Sequence, residues 1–214
     1  MIKSDNIYPI LVSRRKPMNT KQQLDSILEK WDLLKHPFYQ AWSDGTLPVE
    51  ALKVYASEYG AFINTLENGW ETLGDQETAE EEKEHAELWE QFAIALKTEI
   101  NIPQITQTKE LLETSQTLFA SQATTLGAMY AFEAQQPATA KSKLEGLKTH
   151  YSLPAEVEPY FEEHATNWHE SEKILGALDK LSPADQEQAI AACAQMAESL
   201  WNALTGIHEI SSLN

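Results

Sequence analysis

The chain has 214 residues, 42% of them hydrophobic, and 33 Asp and Glu against 16 Lys and Arg leave a net charge of −17. So anionic a surface argues against nucleic acid and anionic membrane as partners and leaves small molecules as the expected ones. The length suits one globular domain with a substantial core. The single cysteine, Cys193 in AIAACAQMAE, reads as a small buried helix residue and excludes a disulfide framework or a Cys-based zinc site within one chain.

At the N-terminus, MIKSDNIYPILVSRRKPM holds an apolar run of only six residues, interrupted by Pro9 and followed by Arg14, Arg15 and Lys16. That is too short for a signal-peptide core or a membrane span. Residues 1–18 read as a flexible tail ahead of a single domain, 19–214, in the cytoplasm. From there apolar residues recur at helical spacing and β-branched alternation is absent, which predicts an all-α protein. A first helix spans about 20–34 and breaks at His36-Pro37, and a short turn, FYQAWSDG, follows. Pro48 opens a second over 49–73, with Tyr55, Tyr59, Phe62 and Trp70 along it, and a third runs over 76–100. A fourth covers 108–135 with a bend near 115–117, a fifth 137–151 and a sixth 154–181. Ser182-Pro183 then caps a last helix reaching His208. Seven helical stretches with short connections imply a compact bundle.

Glu133, in LGAMYAFEAQQP, is the only acidic or basic side chain between residues 115 and 140. A carboxylate buried in such a helix calls for a cation or a metal beside it. In the third helix His85 falls three and four residues before Leu88 and Trp89, on the core face, and Glu81 and Glu82 lie one turn earlier. Glu-x-x-His on an inward face is the ligand pair of di-metal carboxylate bundles, although six acids in eleven residues would also give a solvated acidic face with one core histidine. In the sixth helix His164 lies within the stripe Tyr160, Phe161, Trp168, Leu175 and Leu178, and His169 rejoins that face only through a π-bulge. Should these groups converge, their mixed nitrogen and oxygen donors suit iron or manganese, with positions left for oxygen. His36, His150 and His208 sit at or near helix ends, where capping roles are expected.

LLKHPFYQAWSDGTLPVEALKVYASEYGAFI resembles the first two helices of the heme-oxygenase-like superfamily, which includes thiaminase-type (TenA-like) and pyrroloquinoline-quinone-synthase-type (PqqC-like) proteins. HAELWEQFAIAL, YAFEAQQPATAKSKLEGLKTHY and YFEEHATNWHESE carry the likeness along nearly all of the chain from Leu33 onward. The sequence is most similar to the branch typified by the chlamydial protein associating with death domains. The resemblance implies a seven-helix bundle, two non-heme metal ions (iron and/or manganese), oxygen as co-substrate and pairing as a homodimer. In this branch it further implies a self-sacrificing enzyme that makes para-aminobenzoate for folate synthesis from the ring of its own tyrosine. Residue by residue, His85, Glu133 and His164 fall on metal ligands, Tyr39 on the sacrificed tyrosine, Tyr55 on a second functional tyrosine and Lys143 on a lysine implicated in the chemistry.

The family's first glutamate, seven residues before His85, is replaced by Thr78, so Glu81 or Glu82 must substitute. After His164 the family carries Asp at plus four and His at plus seven, whereas here stand Trp168 and Ser171, leaving His169 to replace the histidine and no acid to match the aspartate. Thiaminase chemistry is disfavoured, because Cys193 is not in the helix that carries Glu133. The rival readings are a conventional di-metal oxygenase acting on an external small molecule, and a binding protein that no longer holds metal.

Overall fold

The computed structural model describes residues 18–211, which are helical with no strand among them. The predicted tail therefore lies, except for Met18, outside the described residues. The helices are α1 (Thr20–Lys30), α2 (Pro37–Ser43), α3 (Val49–Ile63), α4 (Leu66–Leu73), α5 (Gln76–Ala95) and α6 (Thr106–Leu118), followed by α7 (Gln122–Glu133), α8 (Gln136–His150), α9 (Pro159–His164), α10 (His169–Leu178) and α11 (Pro183–Ser211).

All seven predicted stretches are helical, but several are broken by local capping chemistry that periodicity does not register. The first ends at Lys30, and Asp32 caps a separate 3-10 turn, Leu33–Lys35. The second divides into α3 and α4 at Asn64 and Thr65. The third stops at Ala95, earlier than expected, and Lys97 beyond it takes φ 61°. The fourth divides where the Ser121 hydroxyl accepts from the Thr124 N–H and starts α7 anew. The sixth divides into α9 and α10, and this break shapes the site.

α7 is buried along nearly its whole length, in keeping with a sequence that is apolar on every side. It lies against α11, and a Cβ on Gly127 would overlap the Ala189 carbonyl, so glycine sets how closely the two backbones approach. Around α7 the core is aromatic: Trp42, Trp70, Trp89, Tyr55, Tyr59 and Tyr160 are fully buried. Cys193 is buried as expected. His36 caps α2, its Nδ1 accepting from the Phe38 N–H at 3.1 Å. No helix among the described residues is long and apolar enough to cross a membrane.

Candidate metal centre and tyrosine cluster

Five buried side chains, Glu82, His85, Glu133, His164 and Glu170, are delivered by α5, α7, α9 and α10. Asp75 caps α5, accepting from the Thr78 N–H, and fixes the start of the helix that carries Glu82 and His85 on one face. His85 Nδ1 lies 3.5 Å from Glu82 Oε1, and the rings of His85 and His164 are 4.4 Å apart between centroids. His164 Nδ1 donates to the Tyr160 carbonyl at 2.6 Å, which leaves Nε2 with a free lone pair, the tautomer a metal ligand needs. Burial, helped by His85, pulls His164 down to about 3, so it stays neutral.

The carboxylates tell the complementary story. Burial raises Glu82, with Glu170 and Glu81 adding to the rise and His85 opposing it. Burial lifts Glu133 well above the usual range, reinforced by Glu82 and Glu170 and opposed by Trp70. For His85 burial pulls downward, and the nearby carboxylates, Glu82 foremost, outweigh it to leave the ring raised. Among the described residues no lysine or arginine offsets Glu82 or Glu133, and both Glu133 Oε1 and His85 Nδ1 are buried without a hydrogen-bond partner. Three mutually repelling carboxylates and two imidazoles, with no lysine or arginine beside them among the described residues and with orphaned donor atoms, fit a divalent iron or manganese ion.

Of the two alternatives on α5, Glu82 is the buried one. The Glu81 side chain is 45% exposed and that of His169 53%, and the two lie together at the rim. With Glu170 they offer three ligand atoms within 4.8 Å of one another. The expected π-bulge is absent, and the helix is instead interrupted over residues 165–168. There Asn167 Oδ1 accepts from the His169 N–H at 3.3 Å, and Asn167 Nδ2 donates to Glu170 Oε1 at 2.7 Å. The interruption turns Trp168, expected in the buried stripe, out to 49% exposure and turns Glu170 in. The sequence reading missed Glu170 because it counted along an unbroken helix. Asn167, a residue type that starts helices, was the available signal.

Tyr39 from α2, Tyr55 from α3 and Lys143 from α8 form a second buried cluster. The Tyr39 and Tyr55 hydroxyls are 2.8 Å apart, and Lys143 Nζ donates to them at 3.4 and 3.2 Å. The amine lies 4.8 Å from the Tyr39 ring centroid and 5.2 Å from that of Phe161. Burial alone pulls Lys143 from 10.5 to about 7. It also pushes both phenols upward, with Tyr55 partly relieving Tyr39 through their hydrogen bond. A lysine that could have lain on a helix surface is thus a buried amine, its charged form disfavoured, packed against two tyrosines. Ring contacts connect the clusters, with Tyr55 to Trp89 at 5.4 Å, Trp89 to Tyr160 at 4.7 Å and Tyr160 to His164 at 4.2 Å.

Comparison with known proteins identifies the family. Residues 43–201 match the family model described as iron-containing redox enzyme. A 4-aminobenzoate synthase of Nitrosomonas europaea is 31% identical, the match covering 88% of this chain and 91% of that one. A 4-aminobenzoate synthase of Chlamydia muridarum is 30% identical over 90% of this chain and 91% of its own. A solved domain of heme-oxygenase-like fold from Shewanella denitrificans superposes with a TM-score of 0.77 at 14% identity, covering 92% of this chain and 95% of that one. The chain belongs to the iron-containing redox enzyme family and is an oxidoreductase built on the heme-oxygenase-like helical fold.

Proposed function

We propose that this chain makes 4-aminobenzoate, the product for which its Nitrosomonas and Chlamydia relatives are named, in an oxygen-dependent reaction whose aromatic ring comes from Tyr39. The observation that carries the reading is Lys143, a fully buried amine with no ion pair among the described residues, held against the phenols of Tyr39 and Tyr55. An unpaired buried lysine is costly to keep. Near pH 7 a large fraction of it is unprotonated, which suits an amine that must give up its nitrogen or take a proton.

Glu82, His85, Glu133 and His164, with Glu170, would hold the metal. Bound iron or manganese would supply the redox chemistry with oxygen as co-substrate. The protein's own part is to keep His164 in the ligating tautomer, to shield Tyr39 from water, and to hold the Tyr39 and Tyr55 hydroxyls within hydrogen-bond distance so that a proton can pass between them. Trp89 and Tyr160 provide a path of touching rings between His164 and the tyrosine pair along which an oxidising equivalent can travel. The product would feed folate synthesis.

Intact-mass analysis after turnover of the iron- and manganese-loaded chain tests the reading, which requires loss of side-chain mass at Tyr39 in step with 4-aminobenzoate formed. One observation favours a conventional oxygenase acting on an external small molecule: a cleft of about 480 Å³ reaches His85. That alternative leaves Tyr39 at full mass after turnover.

A further inference from the structure

Among the described residues, one ring outside the ligand set touches the ring of a candidate ligand: Tyr160, whose face stacks on His164 at 4.2 Å with 29° between the planes. A path of touching rings from the centre to the tyrosine pair therefore begins at Tyr160. From there Trp89 lies edge-on at 4.7 Å and reaches Tyr55 at 5.4 Å. The other way, through Phe161 and Trp42, needs one ring more and includes a phenyl group, which is far harder to oxidise than an indole. Trp89 is fixed by its own bond, Nε1 donating to the Ala56 carbonyl at 2.9 Å. Tyr160 has less support from its backbone, because α9 is six residues long and ends at the interruption over residues 165–168.

Gln136 supplies the missing support. Its Nε2 donates to the Tyr160 hydroxyl at 2.7 Å, and both residues are buried. Gln136 is held in turn, since it opens α8 directly before Pro137 and the Thr139 hydroxyl donates to its carbonyl at 3.1 Å. Breaking the amide–phenol bond would leave two polar groups unpaired in the core, a cost that keeps the ring where it is. Lys143 follows seven residues later, on the same face of α8 and about 10 Å further along the helix axis. One face of one helix thus holds both ends of the route, Gln136 at Tyr160 and Lys143 at Tyr39 and Tyr55.

We propose that Gln136 is a positioning residue for electron transfer: its bond to the Tyr160 hydroxyl keeps that ring on His164 and against Trp89, so that an electron leaving the tyrosine pair passes through Trp89 and Tyr160 to the centre. The inference rests on reading Tyr39 as the source of the aromatic ring. In each such step a phenol of the Tyr39–Tyr55 pair loses one electron, which oxygen finally accepts, and one proton, which the unprotonated Lys143 amine takes along its bond to that hydroxyl. Trp89 and Tyr160 are each oxidised from the side of the centre and reduced from the side of Tyr55, so neither is consumed. Without Gln136, a small rotation that relieves the unpaired hydroxyl would move the ring off His164 and Trp89 together.

Gln136→Leu and Gln136→Met keep the volume and drop the donor. In the iron- and manganese-loaded chain each should slow the loss of side-chain mass at Tyr39 by roughly 10- to 100-fold, with metal content and the circular dichroism spectrum unchanged. Tyr160→Phe removes the other partner and should slow it as well. Gln136→Leu combined with Tyr160→Phe should be no slower than Tyr160→Phe alone, because the amide acts through the hydroxyl. The metal-free chain gives a readout independent of turnover: the urea-unfolding midpoints of the single and double variants should be non-additive in the same way. An unaltered rate in both Gln136 variants, slowing that multiplies in the double variant, or additive midpoints overturns the proposal and leaves the source of the ring standing. Metal lost in step with the rate also overturns it, by making Gln136 a support of the ligands. Full mass at Tyr39 in the unaltered loaded chain would instead overturn the reading beneath the proposal, and the proposal with it.

Discussion

Glu82, Glu133 and Glu170 with their two histidines, and Tyr39 and Tyr55 with Lys143, are both polar groups sunk in an aromatic core, yet they meet the cost of burial in opposite ways. The first group keeps carboxylates that repel one another, leaves donor atoms unpaired and stands beside a cleft. The second is sealed, hydrogen-bonded within itself, and moves its one basic group toward neutrality. The first is built to be completed by something that binds, and the second is complete in the chain itself. Variants should therefore separate metal binding from product formation.

The largest effects fall on activity. Tyr39→Phe removes the hydroxyl partner of Tyr55 and should yield no 4-aminobenzoate, while metal content, measured by elemental analysis, stays at the unaltered level. The lost hydrogen bond should cost about 1 kcal/mol of stability in urea unfolding. Glu133→Gln should abolish product and also weaken metal binding by about 100-fold or more, the upper end of what removing even a supporting ligand partner costs. In metal-free protein near pH 7 the same change should raise stability by about 1–3 kcal/mol, because it removes a carboxyl whose ionised form burial disfavours and which folding therefore drives to take up a proton. Loss of product with metal retained in Glu133→Gln would erase the distinction between the clusters.

Much of this site was legible in the sequence, and the portion that was not lies where a helix ends. Glu133, His85 and His164 stood out because each is a polar residue placed by a 3.6-residue period among apolar neighbours. That argument holds while the helix continues. Between His164 and His169 it stops, Asn167 bonds to the backbone and to Glu170 instead, and the apolar count carried past the break put Trp168 inside and Glu170 out of sight. Lys143 posed a different difficulty. Its burial follows from α8 packing beside α2 and α9, a tertiary fact that no local pattern announces, and only the family resemblance marked it in advance.

Metal addition is the next largest effect and tests the first cluster alone. Any ion that binds the folded chain and not the unfolded one stabilises by mass action, about 2.7 kcal/mol at a free concentration one hundred times its dissociation constant. Iron(II) or manganese(II), added without oxygen, should therefore raise the thermal midpoint of the unaltered protein and of Tyr39→Phe equally, and that of Glu133→Gln far less. A midpoint unmoved by metal in the unaltered protein would favour a binding protein on an oxygenase fold.

Lys143→Met tests the second cluster through pH, with the smallest expected change. In the folded chain the amine titrates at about 7, below its ordinary 10.5, because burial disfavours the charged form. Between those values the unfolded chain binds more protons than the folded one, so stability rises with pH across that window, by at most about 1.4 kcal/mol per pH unit. Below about 7 both states are protonated and the full burial penalty is present. Above 10.5 neither is, and the penalty is gone. Methionine fills a similar volume without a charge, so at pH 7 the variant should be inactive yet about 1–2 kcal/mol more stable than the unaltered protein. Its advantage should shrink as pH rises toward 10, which urea unfolding at pH 6, 8 and 9.5 would follow. An advantage independent of pH would mean that Lys143 is paired in the folded chain and not held near neutrality. The feature that sets the sealed cluster apart from the metal-ready one would then be lost.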